Sequence, residues 1–214
     1  MEDRYYDTAR TEILPWLPDR VTRVLDIGCG AGATTAAVKR VRGVAWAGGV
    51  EFAGAVANRA EAVFDRVWRG DAAAAPLEAE IAPGSLDLVL CLDVLEHMAD
   101  PWAMVRRVSA LLAPGGRLIV SVPNIRHWKF IWRLLAVGDF RYQDAGLLDR
   151  THLRFFVRAT AVELATSGGL KLVAARPAQS WPPSDPRWAL SAVSFGKLDE
   201  VLAKQWLVVC ERPR

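Results

Sequence analysis

Short apolar runs alternate with amphipathic segments over the first 123 residues of the chain. The runs typical of strands are Val24–Ile27, Ala45–Val50, Arg66–Arg69, Leu86–Leu90 and Arg117–Val122. Between them, helical periodicity covers Ala33–Val41, Ala53–Phe64 and Pro101–Leu112. Strands that alternate with helices in this way predict an α/β fold with a parallel sheet.

The alternation changes after Pro123. A tryptophan-rich helical stretch, Ile125–Val137, is followed by a polar loop, Gly138–Asp149. An insertion of this length between sheet elements indicates a cap or lid. A further helix at Ala159–Ser167 and two last strands at Leu170–Ala175 and Trp206–Cys210 are then predicted.

This organisation predicts one domain over residues 1–214. Residues 1–20 are expected to form a helical N-terminal cover, in which Tyr5, Tyr6 and Arg10 lie over the ligand cleft or form a surface helix. The core is assigned to residues 21–123, the cap to 124–158, and the last helices and strands to 159–214.

Composition narrows the class of protein. The 214 residues are 52% hydrophobic and 24% charged with a net charge of +3, which is ordinary for a globular domain and too weak a positive charge to indicate nucleic-acid binding. Cys29, Cys91 and Cys210 match no paired spacing, so we expect no disulfide, no metal and a cytoplasmic location. We expect no signal peptide and no transmembrane helix, because the first ten residues are charged and no uncharged apolar run approaches about 18 residues. The 22 arginines against 5 lysines favour a bacterial, GC-rich gene.

The strongest chemical signal is the segment Asp26–Gly32, DIGCGAG, in which a strand enters a glycine-rich turn before a helix. Glycine lets a ligand approach the backbone, and a helix N-terminus offers free N–H groups. Glu51 ends the second strand, where a carboxylate can accept both hydroxyls of a ribose. This spacing also fits a dinucleotide-binding fingerprint with Ala33 in its last position.

Further motifs follow in a fixed order: Gly70–Ala72 (GDA), Leu92–His97 (LDVLEH), Pro114–Gly116 (PGG) and Thr151–Phe156 (THLRFF). Together with the glycine turn and Glu51 they resemble the class I S-adenosylmethionine-dependent methyltransferases, in the small-molecule branch that includes ubiquinone-biosynthesis O-methyltransferases. The resemblance covers residues 20 to 123 well. It implies a Rossmann-like seven-stranded sheet of order 3-2-1-4-5-7-6, mostly parallel with the last strand antiparallel, and a helical cap insertion.

The resemblance also implies roles for individual residues toward S-adenosylmethionine and its product S-adenosylhomocysteine. Gly28, Cys29 and Gly30 would pass the methionine part, with Asp26 positioning the turn and the ammonium group. Glu51 would hold the ribose, and Phe52 would pack on adenine. Asp71 and Ala72 would contact the edge of the adenine. Beneath the methionine and the sulfonium would lie Cys91, Leu92 and Asp93.

Methyl transfer from a sulfonium mainly requires alignment, and a base is useful only for an acceptor that carries a proton, such as a hydroxyl. His152 is the first candidate for a base or an acceptor contact, and His127 is the second. His97 is expected to be structural or to lie near the cofactor.

We therefore expect transfer to a small-molecule or glycan-linked acceptor, at oxygen, by a monomer or homodimer. The alternatives are a SAM-binding regulatory or scaffold protein without transfer activity, and an NAD-dependent oxidoreductase. A chain that ends in one strand after a proline-rich loop disfavours the oxidoreductase. The stretch Trp128–Leu135 is expected to pack on the core as a cap helix, with an acceptor pocket, a dimer contact or a peripheral membrane contact as the other interpretations.

Overall fold

A central seven-stranded sheet organises the computed structural model, which describes residues 8–179 and 181–214. The strands are β1 (Arg23–Ile27), β2 (Trp46–Glu51), β3 (Arg66–Arg69), β4 (Leu86–Leu92), β5 (Leu112–Pro123), β6 (Lys171–Pro177) and β7 (Gln205–Glu211). Their order in the sheet is β3-β2-β1-β4-β5-β7-β6. The first five strands are parallel, and β7 is antiparallel to both of its neighbours. The predicted strand order and the antiparallel last strand are confirmed.

Helices connect the strands and cover both faces of the sheet. They are α1 (Ala33–Val41), α2 (Gly54–Ala60), α3 (Leu77–Glu80), α4 (Pro101–Leu111), α5 (Trp128–Trp132), α6 (Arg158–Thr166), α7 (Pro186–Val193) and α8 (Asp199–Leu202). The 3₁₀ helices span Thr11–Trp16 and Leu95–His97, and a π-helical turn, Arg133–Val137, continues α5. As expected, α4 begins after Asp100, whose carboxylate accepts a hydrogen bond from the Ala103 N–H at 2.9 Å.

Alternating strand residues divide the core into two buried layers. On one face, Leu25, Val89 and Val120 belong to a cluster that also takes in side chains of α4 and α6. On the other face, Val24 and Leu90 pack with side chains of α1 and of the first 3₁₀ helix. Burial on both faces explains why these strands read as continuous apolar runs in the sequence.

Three predicted boundaries are wrong. The fifth strand begins at Leu112 rather than Arg117, because a register shift opposite Leu86–Leu88 accommodates the Pro-Gly-Gly segment within the sheet. The helix predicted over Ala53–Phe64 ends at Ala60, and turn residues follow. The cap helix begins at Trp128, three residues later than predicted.

The cap leaves much of its apolar surface exposed. Phe130 is buried, whereas Trp128 and Leu135 are exposed and Trp132 is 67% exposed. The expected packing of this helix on the core therefore holds for one side of it. In the described part of the chain, no helix is both long enough and apolar enough to cross a bilayer. Tyr5 and Tyr6 of the predicted N-terminal cover lie outside the described residues.

Candidate active site

The glycine turn lies at the carboxyl end of β1 and is anchored to the neighbouring strand. The N–H groups of Gly28 and Cys29 both donate to the Val50 carbonyl, at 2.8 and 3.0 Å. Gly28 has a φ of +73°, and a Cβ at this position would lie 2.8 Å from the Val94 side chain. The turn is therefore packed between the ends of β2 and β4, where ligand clefts of α/β sheets open.

Glu51 connects the end of β2 to this turn. Its side chain is only 6% exposed, and its Oε2 accepts a hydrogen bond from the Gly30 N–H at 2.8 Å. The other oxygen, Oε1, accepts from the Ala53 N–H at 2.9 Å. A carboxylate has about four acceptor positions, so two positions are left for hydroxyl donors. The adjacent Phe52 is 79% exposed, which leaves its ring free to pack on a flat ligand.

Asp26 lies at the inner side of the turn. It is buried and accepts a hydrogen bond from the Thr35 hydroxyl at 2.7 Å. Burial raises the pKa of Asp26 to about 7; the Thr35 hydrogen bond opposes this shift and the negative charge of Glu51 adds to it. A cationic group placed at the turn would favour the carboxylate form of Asp26.

The two cysteines of the predicted site are buried thiols. Burial raises the pKa of Cys29 above its ordinary value, and the negative charges of Asp26 and Glu51 raise it further. Burial also raises the pKa of Cys91, again with a contribution from Asp26. Both thiols are therefore protonated at neutral pH and act as packing groups rather than as nucleophiles.

Asp71 and Ala72 follow β3 in a loop that is held against α4. The Asp71 carboxylate is exposed and accepts a hydrogen bond from the Ala73 N–H at 2.9 Å. The Arg107 guanidinium of α4 donates to the carbonyls of Ala72 and Ala73, at 2.9 and 3.2 Å. The predicted adenine-binding loop therefore has a defined conformation, through an arginine that sequence reasoning did not identify.

Asp93, directly after β4, is a junction of several elements. It adopts a φ of +53°, and its Oδ1 accepts hydrogen bonds from the Ser121 hydroxyl at 2.8 Å and from the Gln205 amide at 2.9 Å. Its Oδ2 forms an ion pair with Arg10. The Arg10 N–H also donates to the Thr34 hydroxyl at 3.0 Å, so the N-terminal segment crosses the carboxyl ends of β1 and β4.

Two of the three histidines lie together beside this junction. The rings of His97 and His152 meet edge to face with their centroids 4.7 Å apart. The His152 Nδ1 is 3.0 Å from the Leu147 carbonyl oxygen, and the His97 Nδ1 is 3.0 Å from the Thr151 hydroxyl. The contact between His97 and His152 was not predicted, because the two residues belong to different motifs.

His127 has different surroundings from His152. It precedes α5, is largely buried, and contacts Trp128 with ring centroids 6.1 Å apart. Burial lowers the pKa of His127, and the positive charges of Lys204 and Lys129 lower it further. The structure thus separates the two histidines that the sequence had offered as alternatives.

Glu96 is a further group that sequence reasoning missed. It is 1% exposed, and among residues 8–179 and 181–214 neither carboxylate oxygen has a hydrogen-bond partner. Burial raises the pKa of Glu96 well above its ordinary value, and Asp93 raises it further. Its position beside His97 in the LDVLEH motif was the only signal, and burial of the carboxylate is a property of the folded chain.

Comparison with known proteins identifies the family of this chain. A family profile described as a methyltransferase domain matches residues 2–175. The chain belongs to the class I S-adenosylmethionine-dependent methyltransferases. The strand order of this methyltransferase and its antiparallel β7 are those that the resemblance implied. The family's cofactor is S-adenosylmethionine.

Curated relatives of the methyltransferase are found in Xanthomonas. The ubiquinone biosynthesis O-methyltransferase of Xanthomonas campestris pv. campestris (strain B100) is 31% identical in an alignment 170 residues long, which covers 69% of this chain. The corresponding protein of Xanthomonas oryzae pv. oryzae (strain PXO99A) is 30% identical over the same length. The matched part is 65% of each relative's length, so the chain spans slightly less than two thirds of these proteins.

Solved structures show the same fold. An S-adenosylmethionine-dependent methyltransferase from Mesorhizobium loti has a TM-score of 0.64 at 18% identity and covers 97% of this chain and 100% of its own. Phosphoethanolamine N-methyltransferase 2 of Haemonchus contortus, solved with S-adenosylmethionine, has a TM-score of 0.64 at 17% identity. The match covers 96% of this chain and 52% of the Haemonchus chain.

The donor and acceptor groups present in this chain fit the cofactor. The carboxylate of Glu51 faces the glycine turn with acceptor capacity to spare, Phe52 exposes an aromatic face beside it, and Asp26 places at the turn a buried carboxyl group whose charged form a cation would favour. These groups match the ribose diol, the adenine ring and the ammonium group of S-adenosylmethionine in chemical type.

Proposed function

We propose that this methyltransferase transfers the methyl group of S-adenosylmethionine to an oxygen atom of a small-molecule or glycan-linked acceptor. The observation that carries the proposal is the hydrogen bond from the Gly30 N–H to the Glu51 carboxylate. This bond places, beside the turn at the end of β1, a carboxylate that can accept hydrogen bonds from the hydroxyl groups of a ribose. The turn packs so tightly that Gly28 has no room for a side chain.

The cofactor would lie across the carboxyl ends of the first four strands. In this proposal Glu51 accepts the ribose hydroxyls, Phe52 packs on adenine, and Asp71 with the Ala72 backbone contacts the adenine edge. The positions of these residues in the sheet support the three roles, because β2 and β3 are adjacent and parallel. The carboxyl ends of adjacent parallel strands meet at one edge, which is where the ligand binds in open α/β sheets.

The methionine part of the cofactor would lie over the turn and the end of β4. The N–H groups of Gly28, Cys29 and Gly30 already donate to Val50 and Glu51, so these residues would offer backbone carbonyls, and Asp26 would stabilise the ammonium group. Cys91, Leu92 and Asp93 would lie beneath the methionine and the sulfonium; β4 pairs directly with β1, which supports this placement. The cofactor supplies an activated methyl group, so the main task of these residues is alignment.

On the acceptor side, we favour His152 over His127 as the residue that contacts the acceptor. His152 lies with His97 at the segment following β4, and the backbone N–H groups of Leu153 and Arg154 donate to the Glu96 carbonyl at 2.8 and 3.0 Å. These bonds hold the start of the last motif beside the strand end that is assigned to the sulfonium. The Xanthomonas relatives are named O-methyltransferases, which supports oxygen as the acceptor atom.

The exposed apolar side chains of the cap favour an acceptor with an apolar part. Trp128, Trp132 and Leu135 are exposed on or just beyond α5. An aromatic or lipid-linked acceptor would cover such side chains on binding.

The peripheral membrane contact, the oligomeric state and the cytoplasmic location stay predictions. The three cysteines are free and buried, which is compatible with a reducing compartment.

Calorimetry with S-adenosylhomocysteine, followed by a turnover assay, tests the proposal. A folded sample should bind the nucleoside and should then convert S-adenosylmethionine to S-adenosylhomocysteine with a hydroxylated aromatic or glycan acceptor. Absence of binding would reject the cofactor site. Binding without turnover over a wide acceptor panel would instead favour the alternative of a SAM-binding protein without transfer activity. Preference for NAD over S-adenosylhomocysteine would support the oxidoreductase.

A further inference from the structure

Positively charged side chains from three separate segments surround His127, which follows the carboxyl end of β5. They are Lys129 of α5, Arg187 of α7 and Lys204, which directly precedes β7. Within residues 8–179 and 181–214, every charged group that acts electrostatically on the His127 ring is one of these cations. The electrostatic potential is therefore positive at this place, although the whole chain carries a net charge of only +3.

The two lysines of this group bring charge that the protein leaves unmatched. Arg187 is paired with Asp185, whose Oδ2 lies 2.5 Å from the guanidinium Nη2. Lys129 and Lys204 are exposed, and in the part of the chain that the structure describes neither ammonium group has a carboxylate within ion-pair distance. An anion bound between them would thus meet two free positive charges.

His127 itself indicates a ligand by a separate observation. It is 9% exposed, and neither ring nitrogen has a hydrogen-bond partner among the described residues. Because burial and the neighbouring cations lower the pKa of His127, its imidazole is neutral at pH 7 and carries one N–H donor. Buried polar groups are nearly always hydrogen-bonded, so an unpaired donor beside two free cations calls for an acceptor from outside the chain.

The position of this group relates it to methyl transfer. A recess beside it is lined by Trp181, Arg187, Lys204 and Gln205. The Gln205 amide donates to the Asp93 Oδ1 at 2.9 Å, and Asp93 is the residue placed beneath the sulfonium in the proposed function. Since β7 is antiparallel to β5, the start of β7 lies at the carboxyl edge of the sheet, where the ligand cleft opens.

The number of free charges indicates the chemical class of the anion. A phosphate monoester carries about −1.5 to −2 at neutral pH, whereas a carboxylate carries one negative charge. Lysine binds phosphate as a point charge, and a neutral imidazole N–H can donate to a phosphate oxygen. Two lysines and one imidazole therefore fit a phosphate or diphosphate group better than a single carboxylate.

We propose that Lys129, Lys204 and His127 form a subsite for a phosphate ester group of the acceptor, with Arg187 at its border. The inference rests on the proposed function, and it narrows the acceptor to a molecule that carries a phosphate or a diphosphate. His152 keeps the contact with the oxygen that receives the methyl group, because the phosphate is a different part of the same acceptor.

Calorimetric titration with inorganic pyrophosphate tests this subsite in protein saturated with S-adenosylhomocysteine, so that the cofactor cleft is occupied. The variants are Lys204→Met, Lys129→Met and the double variant, in which methionine keeps the apolar stem. Lys171→Met is the matched control, because Lys171 is an exposed lysine at the amino end of β6, at the opposite edge of the sheet. Thermal melting shows whether each variant is folded.

Two further ligands identify the class and the source of the anion. Acetate carries a single carboxylate and should bind more weakly than pyrophosphate. Farnesyl pyrophosphate carries a diphosphate on an apolar chain. Tighter binding of farnesyl pyrophosphate than of pyrophosphate would assign the phosphate to a lipid-linked acceptor that also covers the exposed Trp128 and Trp132. Equal affinity for the two would assign it to a water-soluble acceptor.

Wild-type protein and Lys171→Met should bind pyrophosphate equally well, and both affinities should fall as NaCl is added. Lys204→Met should bind at least about 10-fold more weakly, the double variant should show no binding, and the affinity for S-adenosylhomocysteine should stay unchanged.

Three results would overturn the subsite alone: nucleoside binding without pyrophosphate binding, equal affinities for acetate and pyrophosphate, or equal pyrophosphate affinities of Lys204→Met and Lys171→Met. If the nucleoside does not bind, pyrophosphate is titrated alone. Binding that still depends on Lys204 would then support the subsite and count only against the proposed function, and binding that does not depend on it would overturn the subsite as well.

Discussion

The Glu51 carboxylate accepts a hydrogen bond from the Gly30 N–H at 2.8 Å, and so joins the end of β2 to the turn that follows β1. One residue thus holds the turn and, with two hydrogen bonds made, keeps acceptor positions free for a ligand. The Ala53 N–H bonds the other oxygen at 2.9 Å, which fixes the orientation of the carboxylate before any ligand arrives. Preorganisation of this kind lowers the ordering cost of binding.

We expect the substitution Glu51→Ala to weaken S-adenosylhomocysteine binding by about 1–3 kcal/mol, because hydrogen bonds to the ribose and to Gly30 are both lost. Glu51→Gln keeps one acceptor oxygen and should be affected less. Calorimetry measures both affinities, with Glu163→Ala, an exposed glutamate of α6, as the control. Wild-type affinity in Glu51→Ala would show that the ribose is placed wrongly.

The glycine turn permits a sharper test of its packing. In Gly28→Ala the new Cβ would meet the Val94 side chain at 2.8 Å while the residue is held at a φ of +73°. We expect the free energy of unfolding to fall by about 1–3 kcal/mol and cofactor binding to weaken. In Gly43→Ala no heavy atom lies within 4 Å of the added Cβ. Chemical denaturation should therefore separate the two variants, and equal stability would contradict the described turn.

Much of the fold could be predicted because its signals are local. Each of the first five strands is a short apolar run, and Asp100 followed by Pro101 predicts the N-terminus of α4. The start of β5 could not be predicted in this way. Pro114, Gly115 and Gly116 indicate a break, but the Gly115 N–H donates to the Arg212 carbonyl at 2.9 Å and the strand continues. That partner comes from the other end of the chain.

The site residues also fall into those that local motifs predict and those that depend on contacts between distant parts of the chain. The glycine turn and Glu51 follow from short motifs at strand ends, where the fold itself brings them together. The contact between His97 and His152, and the burial of Glu96, depend on how the cap loop folds back on β4. No periodicity governs that loop, so the sequence offered His127 and His152 as alternatives and did not group His152 with His97.

Arg10 offers a test of the N-terminal segment as a cover. It forms an ion pair with Asp93, and Asp93 keeps hydrogen bonds from Ser121 and Gln205 when the arginine is replaced. Arg10→Met should therefore fold. S-adenosylhomocysteine should dissociate about fivefold faster, because losing the ion pair removes about 1 kcal/mol of the free energy that holds the N-terminal segment over the cofactor. Stopped-flow displacement measures this rate. Arg40→Met, at an exposed position of α1, is the control, and equal dissociation rates in the two variants would show that the segment does not cover the cofactor.

The buried carboxylate of Asp26 makes stability and binding depend on pH in opposite directions. Burial raises the pKa of Asp26 to about 7 in the folded protein, above its value of about 3.9 in an unfolded chain. The folded state therefore binds more protons between these values. The free energy of unfolding should fall as pH rises from about 4 through 7, relative to Asp26→Asn, which binds no proton there.

Cofactor affinity should change with the opposite sign. The ammonium group of S-adenosylhomocysteine favours the charged carboxylate, so wild-type affinity should rise as pH increases from about 6 to 8, and binding near pH 6 should release a proton. Calorimetry in buffers of different ionisation enthalpy measures this release. In Asp26→Asn the proton release should vanish and the affinity should be lower at pH 8. A wild-type affinity that is independent of pH over this range, with no proton released, would mean that Asp26 does not face the ammonium group.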